Sequence, residues 1–403
     1  DSISGFWSDD RIEGGAGDDI LMGADGSDTY VVNVGDGVDI IRELVGYVTY
    51  DDDDVIEFGA GLLASDILYT RNGGDLVINF TGRSEQITVE GQFTPDAYFT
   101  WRDIEYLRFD DGTELTGADV RAAMIAAQAT SGDDVVDGFF TADTLAGGAG
   151  NDTLKGSTGG DTYLFGIGDG NDTIVESLEH HLFLDGQDRI LFGAGIARAD
   201  VTFSFEGNDL VATLSNGQSI RMQNHGASNN NKVELFEFAD GTLLTASEAE
   251  VNALASAATI GDDIISGTGT ADIIQGGPGN DTLSGLDGSD TYIFVRGDGA
   301  DTIEESGYFD TDRILIRGYD VEDVMVDRGD EYSADLVISF LGTSDQIIVR
   351  NTLDGHYNDE VEQIEFDDGT IWTTATIRNR ILSQDTTSGE DIIQGFGVGD
   401  VIE

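Results

Sequence analysis

Cysteine is absent from the 403 residues, and proline occurs only twice. The first absence excludes disulfide staples, zinc–thiolate centres and thiol nucleophiles. The second excludes a proline-rich linker. Basic residues are scarce: 19 Lys and Arg stand against 79 Asp and Glu, for a formal net charge of −60. Such a chain has no surface for a phosphate backbone. An anionic membrane repels it unless a divalent cation bridges the two. No apolar run approaches the length of a membrane span, and none of signal-peptide kind opens the sequence. GxSxG, Walker A and HExxH patterns are missing as well.

Glycine, by contrast, is abundant at 55 residues, and the hydrophobic fraction is 39%, with 20 Phe and 12 Tyr. Acidic disordered chains are poor in such residues. An ordered protein at this charge needs counter-ions, because self-repulsion opposes compactness. Bound metal is the expected source. Many glycines with few prolines predict many tight turns.

A unit of about 130 residues recurs three times. Its glycine signature reads GGAGDDIL at Gly14–Leu21, GGAGNDTL at Gly147–Leu154 and GGPGNDTL at Gly276–Leu283. A second landmark reads FDDGT at Phe109–Thr113, FADGT at Phe238–Thr242 and FDDGT at Phe366–Thr370. The expected blocks are 1–130, 131–259 and 260–387, with a fourth beginning at 388–403. Both ends of the chain fall inside a repeat, which suggests an interior slice of a longer repetitive protein.

A nine-residue period runs through the first part of each block. It places Asp1, Asp10, Asp19 and Asp28 in the first, Asp134, Asp143, Asp152 and Asp161 in the second, and Asp263, Asp272, Asp281 and Asp290 in the third. Each series ends with an Asp eleven residues on, in a GDG turn: Asp39, Asp172 and Asp301. Asp391 and Asp400 open the same series again. Two positions after each periodic Asp stands an apolar residue, for example Ile12, Leu21 and Tyr30. Calcium takes six to eight oxygens. Glycine lets turn carbonyls converge, and Asp offers a short rigid arm. One apolar side chain per nine residues is a thin core, so metal binding is expected to be part of folding.

The pattern G-G-x-G-x-D-x-U-x, with U apolar, resembles the RTX (haemolysin-type calcium-binding) family. The best matches are Gly14–Asp19, Gly147–Asp152 and Gly276–Asp281. The resemblance implies an all-β fold of calcium-binding parallel β-rolls, with six-residue turns and three-residue strands. Turns eighteen residues apart would stack and hold Ca²⁺ between them. The implied pairs are Asp1/Asp19, Asp10/Asp28, Asp134/Asp152, Asp143/Asp161, Asp263/Asp281 and Asp272/Asp290, with Asp39, Asp172 and Asp301 closing further sites against Asp19, Asp152 and Asp281. Gly15, Gly17, Gly148, Gly150, Gly277 and Gly279 are the turn glycines of the best-matching units. About three ions per block are expected.

The rolls are expected over 1–58, 131–192 and 260–316, and the second half of each block (59–130, 193–259, 317–387) reads differently. Alternating apolar residues flank a glycine turn after Asp75, Asp209 and Asp335, which predicts hairpins. Asp111-Gly112, Asp240-Gly241 and Asp368-Gly369 predict a second strand pair. A short helix closes each block, capped by Thr116 with Asp119 and Thr245 with Glu248. This half resembles the domain that accompanies RTX repeats in some long secreted proteins. It reads as a β cap on the open edge of the roll.

Four histidines, His180, His181, His225 and His356, share no metal spacing. The run Asp51–Asp54 reads first as a solvated acidic loop, with a further Ca²⁺ ligand as the alternative, since Asp54 aligns with Asp188 and Asp312. Phe6-Trp7, Phe139-Phe140 and Phe396 stand where small turn residues are expected, while the third block has Thr268-Gly269. These aromatics are expected to pack on the cap of the preceding block, with contact between neighbouring molecules as the alternative. No catalytic constellation appears. The resemblance implies secretion from a Gram-negative bacterium by a type I route and folding outside the cell. The leading expectation is a structural segment of a surface layer, adhesin stalk or filament, in which neighbouring blocks are partners. The rival is a folding and secretion module of a toxin or hydrolase whose catalytic part lies elsewhere. A flat ice- or carbohydrate-binding face ranks below both, since no regular outward Thr or aromatic row is present.

Overall fold

The computed structural model describes residues 1–43, 53–94, 103–176, 186–228, 231–306, 311–329, 334–353 and 361–385. Asp391, Asp400, Phe396, His180, His181 and His356 lie outside them, as does the expected fourth roll.

The first block shows how the nine-residue period becomes a fold. Its strands are β1 (Ser2–Ser4), β2 (Arg11–Glu13), β3 (Ile20–Met22), β4 (Thr29–Val32), β5 (Val38–Ile41) and β6 (Val55–Phe58). Each turn reverses the chain, so consecutive strands fall on opposite sides and alternate strands pair. β1 pairs with β3 and β2 with β4, both parallel, with Ser2 opposite Ile20 and Arg11 opposite Thr29. β3 then pairs with β5 and β4 with β6. The apolar residue of each unit points inward: Ile12, Leu21, Tyr30 and Ile41 are all buried. This is a parallel β-roll, and the protein is all-β apart from short helices.

The cap continues both sheets of its own roll. It contributes β7 (Ile67–Asn72), β8 (Asp75–Phe80), β9 (Gln86–Val89), β10 (Tyr106–Phe109) and β11 (Glu114–Thr116). β9 joins β5 in parallel, and β8 and β7 follow antiparallel. β10 joins β6 in parallel, and β11 returns across the Asp111-Gly112 turn. The resulting orders are β1-β3-β5-β9-β8-β7 and β2-β4-β6-β10-β11. The last strands therefore shield the open edge of the roll, where unpaired backbone invites strand addition. Helix α1 (Gly117–Ala126) starts from the reciprocal box of Thr116 and Asp119. Helix α2 (Ala246–Ala257) uses Thr245 and Glu248 in the same way. In α3 (Thr374–Asp385), where the acid is missing, Thr376 N–H donates to Thr373 Oγ1 at 3.4 Å.

The third block repeats this plan. One sheet runs Ile264–Ser266, Thr282–Ser284, Ala300–Ile303, Gln346–Val349, Leu336–Phe340, Val324–Arg328, and the other Ile273–Ile274, Thr291–Val295, Arg313–Arg317, Gln363–Phe366, Ile371–Thr373.

The described residues form two compact units, 1–164 with Gly186, and 165–176 with 187–385. The division falls inside the second roll, so the units do not follow the three repeat blocks. The block borders at 130/131 and 259/260 lie within a unit, because each of these caps packs on the first turns of the roll that follows it. Phe93 of the first cap meets Phe139 at 4.7 Å between ring centroids. Arg71 lies over the Phe139 ring and donates from Nη1 to Gly138 O at 3.1 Å. In the other unit, Gly269 N–H donates to Gly226 O of the second cap at 2.7 Å. Phe139 and Thr268 are buried, whereas Phe6 and Trp7 are exposed.

Candidate metal centres

The periodic aspartates line up as ladders on both sides of the roll. Each rung is held by a backbone N–H donating to the carboxylate of the next Asp on that side. In the first roll Asp10 N–H donates to Asp28 Oδ1 at 2.8 Å and Asp19 N–H to Asp39 Oδ1 at 3.0 Å. The terminal amine of Asp1 lies 2.5 Å from Asp19 Oδ1. In the second, Asp134 N–H reaches Asp152 Oδ1 and Asp143 N–H reaches Asp161 Oδ1, both at 2.8 Å. In the third, Asp263 pairs with Asp281 (2.9 Å), Asp272 with Asp290 (2.8 Å) and Asp281 with Asp301 (3.1 Å). Asp172, at the register of Asp39 and Asp301, is buried. The expected partners thus occupy successive rungs, linked by a backbone N–H of one to the carboxylate of the next.

The turn glycines answer to different constraints. Gly276 is a glycine because the Asp281 carboxylate fills its side-chain space: a Cβ there would lie 2.3 Å from Asp281 Oδ2. Gly15, Gly17, Gly148, Gly150 and Gly277 carry positive φ, from +79° to +146°. Gly279 does not; its Cβ would lie 2.5 Å from Gly261 O, in the turn eighteen residues earlier. Close stacking of turns accounts for that position, left-handed backbone for Gly15 and Gly17, and both for Gly148 and Gly150, whose Cβ atoms would lie 2.8 Å from Thr130 O and 2.5 Å from Gly132 O.

The ladder is longer than the nine-residue period shows. Asp28 N–H donates to Asp54 Oδ1 at 2.8 Å, and Asp54 N–H to Glu105 Oε2 at 2.6 Å. The third block matches it, with Asp290 to Asp312 (2.7 Å) and Asp312 to Glu362 (2.7 Å). Asp54 is buried, which corrects its reading as part of a solvated acidic loop; Asp51 and Asp52 lie outside the described residues. Asp54 stands directly before β6, whose entry into the sheet draws its side chain inward.

A further set of acids was missed. Carboxylate oxygens of Asp28, Glu43 and Asp54 lie within 4.8 Å of one another, as do those of Asp290, Glu305 and Asp312, and all six residues are buried. In the second block Asp161, Glu176 and Asp188 hold the same sequence positions, each buried. The Tyr30 hydroxyl donates to Glu43, and that of Tyr292 to Glu305. The signal was present: a Glu stands four residues after each GDG aspartate, at Glu43, Glu176 and Glu305. His225 is structural. Its Nδ1 accepts Val233 N–H at 3.3 Å, the job done by Gln92 and Thr352 in the other caps, and its Nε2 lies 3.2 Å from Glu250 Oε1.

Burial and mutual repulsion make these acids reluctant to ionise. Burial first, with neighbouring carboxylates adding, pushes Asp39 up to about 6, Asp301 to about 7 and Glu43 to about 8. Burial also raises Asp272 to about 6. Asp19 Oδ2, Asp272 Oδ1 and Asp281 Oδ2 are buried with no hydrogen-bond donor. A buried acceptor left so costs about 1–3 kcal/mol, more when charged. Asp272 and Asp281 already accept a backbone N–H with the other oxygen, and Asp19 the Asp1 amine, so one donor per carboxylate does not meet the need; a hard cation does. An all-oxygen set of short carboxylates beside turn carbonyls fits calcium.

The geometry defines a calcium-binding parallel β-roll. Family models place the chain more narrowly. The RTX calcium-binding nonapeptide repeat matches residues 4–41, 127–154, 137–174 and 258–292, and the haemolysin-type calcium binding protein related domain matches 75–119, 209–248 and 335–376. The chain is therefore a member of the RTX group in which calcium-binding rolls alternate with haemolysin-type related domains, and Ca²⁺ is its ion. It is similar to iron-regulated protein FrpA of Neisseria meningitidis serogroup C, 33% identical over 123 residues, which is 30% of this chain and 11% of that protein's length. Among solved structures it is similar to extracellular lipase LipA from Serratia marcescens, at 19% identity and a TM-score of 0.21, covering 55% of this chain and 37% of the lipase. The chain thus spans a small part of either protein. No helix among the described residues is long and apolar enough to cross a membrane.

Proposed function

We propose that this chain is a calcium-dependent structural segment of a longer secreted protein, which folds on meeting Ca²⁺ outside the cell and serves in a surface layer, adhesin stalk or extracellular filament. The recurrence of the same buried carboxylate ladder in successive blocks carries this reading: a site repeated block after block builds a scaffold rather than a reaction centre. Secretion is typical of RTX proteins, and Gram-negative bacteria are their usual source.

In each roll the periodic aspartates and the carbonyls of their turns hold the ion. Asp19 with Asp1 and Asp39 serves one side of the first roll, and Asp28 with Asp10 and Asp54 the other. The second and third rolls use Asp134, Asp143, Asp152, Asp161 and Asp172, and Asp263, Asp272, Asp281, Asp290 and Asp301. Asp391 and Asp400 continue the series by sequence. Bound calcium supplies positive charge that cancels repulsion between rungs. The protein's own part is to hold the oxygens: backbone N–H groups fix one oxygen of each carboxylate, and the packed glycine keeps the other close to the turn. Before secretion, at low Ca²⁺, the same repulsion keeps the chain unfolded and fit to be exported.

Circular dichroism during Ca²⁺ titration tests the folding claim. A gain of β signal reversed by chelator is expected; a full β spectrum in chelator contradicts it. Electron microscopy of the purified protein with and without Ca²⁺ tests the structural role. Calcium-dependent ordered polymers support it, and dispersed particles at every Ca²⁺ concentration argue for the folding module of an enzyme or toxin.

A further inference from the structure

The second turn of each roll is built the same way. Phe6 N–H donates to Asp10, Phe139 N–H to Asp143 and Thr268 N–H to Asp272, at 2.8, 2.6 and 2.5 Å. Their surroundings differ. Phe139 is 3% exposed and Thr268 0%, each under the cap that precedes it, whereas Phe6 is 78% and Trp7 86% exposed. The aspartate of the turn follows suit: Asp143 and Asp272 are buried, and Asp10 is half-buried.

The two covered turns match their caps reciprocally. The first cap presents Arg71 and Phe93, four residues before its DLV segment and just after its β9 strand, and the turn it receives carries Phe139. The second cap has Phe205 and Gly226 at those positions, and the turn it receives carries Thr268. A Cβ on Gly226 would lie 2.6 Å from Thr268 Cγ2 and 3.4 Å from Phe205, so the absence of a side chain there makes the room that Thr268 fills. The third cap returns to Arg328, which pairs with Leu336 as Arg71 pairs with Leu76, although it stands seven residues before its DLV segment; it has Leu353 at the Phe93 position, and the turn that follows it in sequence returns to Phe396. Bulk and charge on the cap thus vary together with bulk on the turn.

We infer that the exposed Phe6–Trp7 turn is the docking face for a further haemolysin-type related cap in the same polypeptide, of the kind that bears Arg at the Arg71 position and a large apolar side chain at the Phe93 position. An aromatic edge against an aromatic ring, under a guanidinium, gains both contact area and cation–π attraction. A cap of the Phe205–Gly226 kind does not fit, because its aromatic already occupies the space that Phe6 needs. The inference deepens the reading of the blocks as a stacked array. It adds that block order is constrained by matched cap and turn residues, and that a cap helps to dry the Asp10 site.

The test uses the whole chain with Trp101→Phe and Trp372→Phe, so that Trp7 is its only tryptophan. It is compared with the same chain carrying residues 1–133 duplicated ahead of Asp1, with Trp7→Phe in the added copy. Phe140→Trp, at the position equivalent to Trp7 and in a chain lacking the three natural tryptophans, gives the reference for a covered turn. Acrylamide quenching of the single tryptophan is read in Ca²⁺. In the extended chain it should fall toward the Phe140→Trp value, and Arg71→Ala with Phe93→Gly in the added copy should restore it. Equal quenching of Trp7 with and without the added cap overturns the inference. So does protection in the unextended chain that grows with protein concentration, which would mark contact between copies. The calcium dependence of the β signal is read separately, so failure of the docking and failure of calcium-coupled folding are told apart.

Discussion

Replacing Gly276 by alanine is the sharpest way to ask whether the aspartate ladder holds the roll together. The new Cβ would sit 2.3 Å from Asp281 Oδ2 and 2.8 Å from its Cβ and Cγ. No rotation of a methyl relieves that, so the carboxylate has to move. Movement breaks the 2.9 Å bond from Asp263 N–H and withdraws a buried oxygen from the turn. A hydrogen bond to a charged group contributes about 1.5–3 kcal/mol. With the misplaced oxygen added, the loss is about 3 kcal/mol, or about 100-fold in the folding equilibrium. Folding and ion uptake are coupled. If about three ions bind per block, the loss appears as about a fivefold rise in the Ca²⁺ concentration at the folding midpoint. Gly297→Ala is the control: its φ is +100° and a Cβ there meets nothing within 4 Å. Only left-handed strain of about 1–2 kcal/mol applies, for about a twofold shift by the same conversion. Both midpoints are read by circular dichroism. Should Gly297→Ala shift the midpoint as much as Gly276→Ala, or more, close packing against the aspartate is not what the first glycine serves.

Acid should partly replace calcium. Asp39 and Asp272 are raised to about 6, Asp301 to about 7 and Glu43 to about 8, so the folded chain binds more protons than the unfolded one between pH about 4 and about 8. This contribution to the stability of the metal-free roll is therefore full below the unfolded values and is lost as pH rises through the folded ones; β signal in chelator should grow on acidification, and its absence at pH about 4 counts against the reading. Calcium uptake at pH about 7 should release protons, measurable as a dependence of the calorimetric heat on the buffer's ionisation enthalpy. Asp54→Asn keeps an acceptor for Asp28 N–H while removing one charge, so the first block should lose calcium stoichiometry by titration calorimetry yet retain its β signal at low pH. Phe139→Ala removes a buried ring from Phe93 and Arg71 and should destabilise the cap–roll junction by about 3 kcal/mol, seen as faster hydrogen exchange at Gly138–Asp143 and in the facing cap.

Local chemistry that repeats was legible in the sequence. The nine-residue spacing of Asp and glycine gives the turn, the apolar residue two positions later gives the inward face, and the DG and Thr-x-x-acid signals give hairpin and helix starts. Each depends on a few neighbouring residues, so each leaves a short pattern. Asp54 and Glu43 were not read in this way. Asp54 sits 26 residues from Asp28, across a connection whose length varies from block to block, and Glu43 enters the cluster only because Tyr30, thirteen residues earlier, turns its hydroxyl inward. The nine-residue period has no place for either, although Glu43 keeps a fixed four-residue spacing from the GDG aspartate.

The sequence by itself determined that acidic turns recur on a fixed beat, that metal is needed to offset their charge, and that a roll and a cap alternate. Tertiary structure alone decided which carboxylate oxygens are tied to a backbone N–H, and that one oxygen of Asp19, Asp272 and Asp281 is left without a donor. It also decided that the cap extends both sheets of its own roll and shelters a turn of the next. Spacing along the chain specifies which rungs stack, but the orientation of a carboxylate and the fit of Phe139 beneath Arg71 depend on side chains brought together from dozens of residues away.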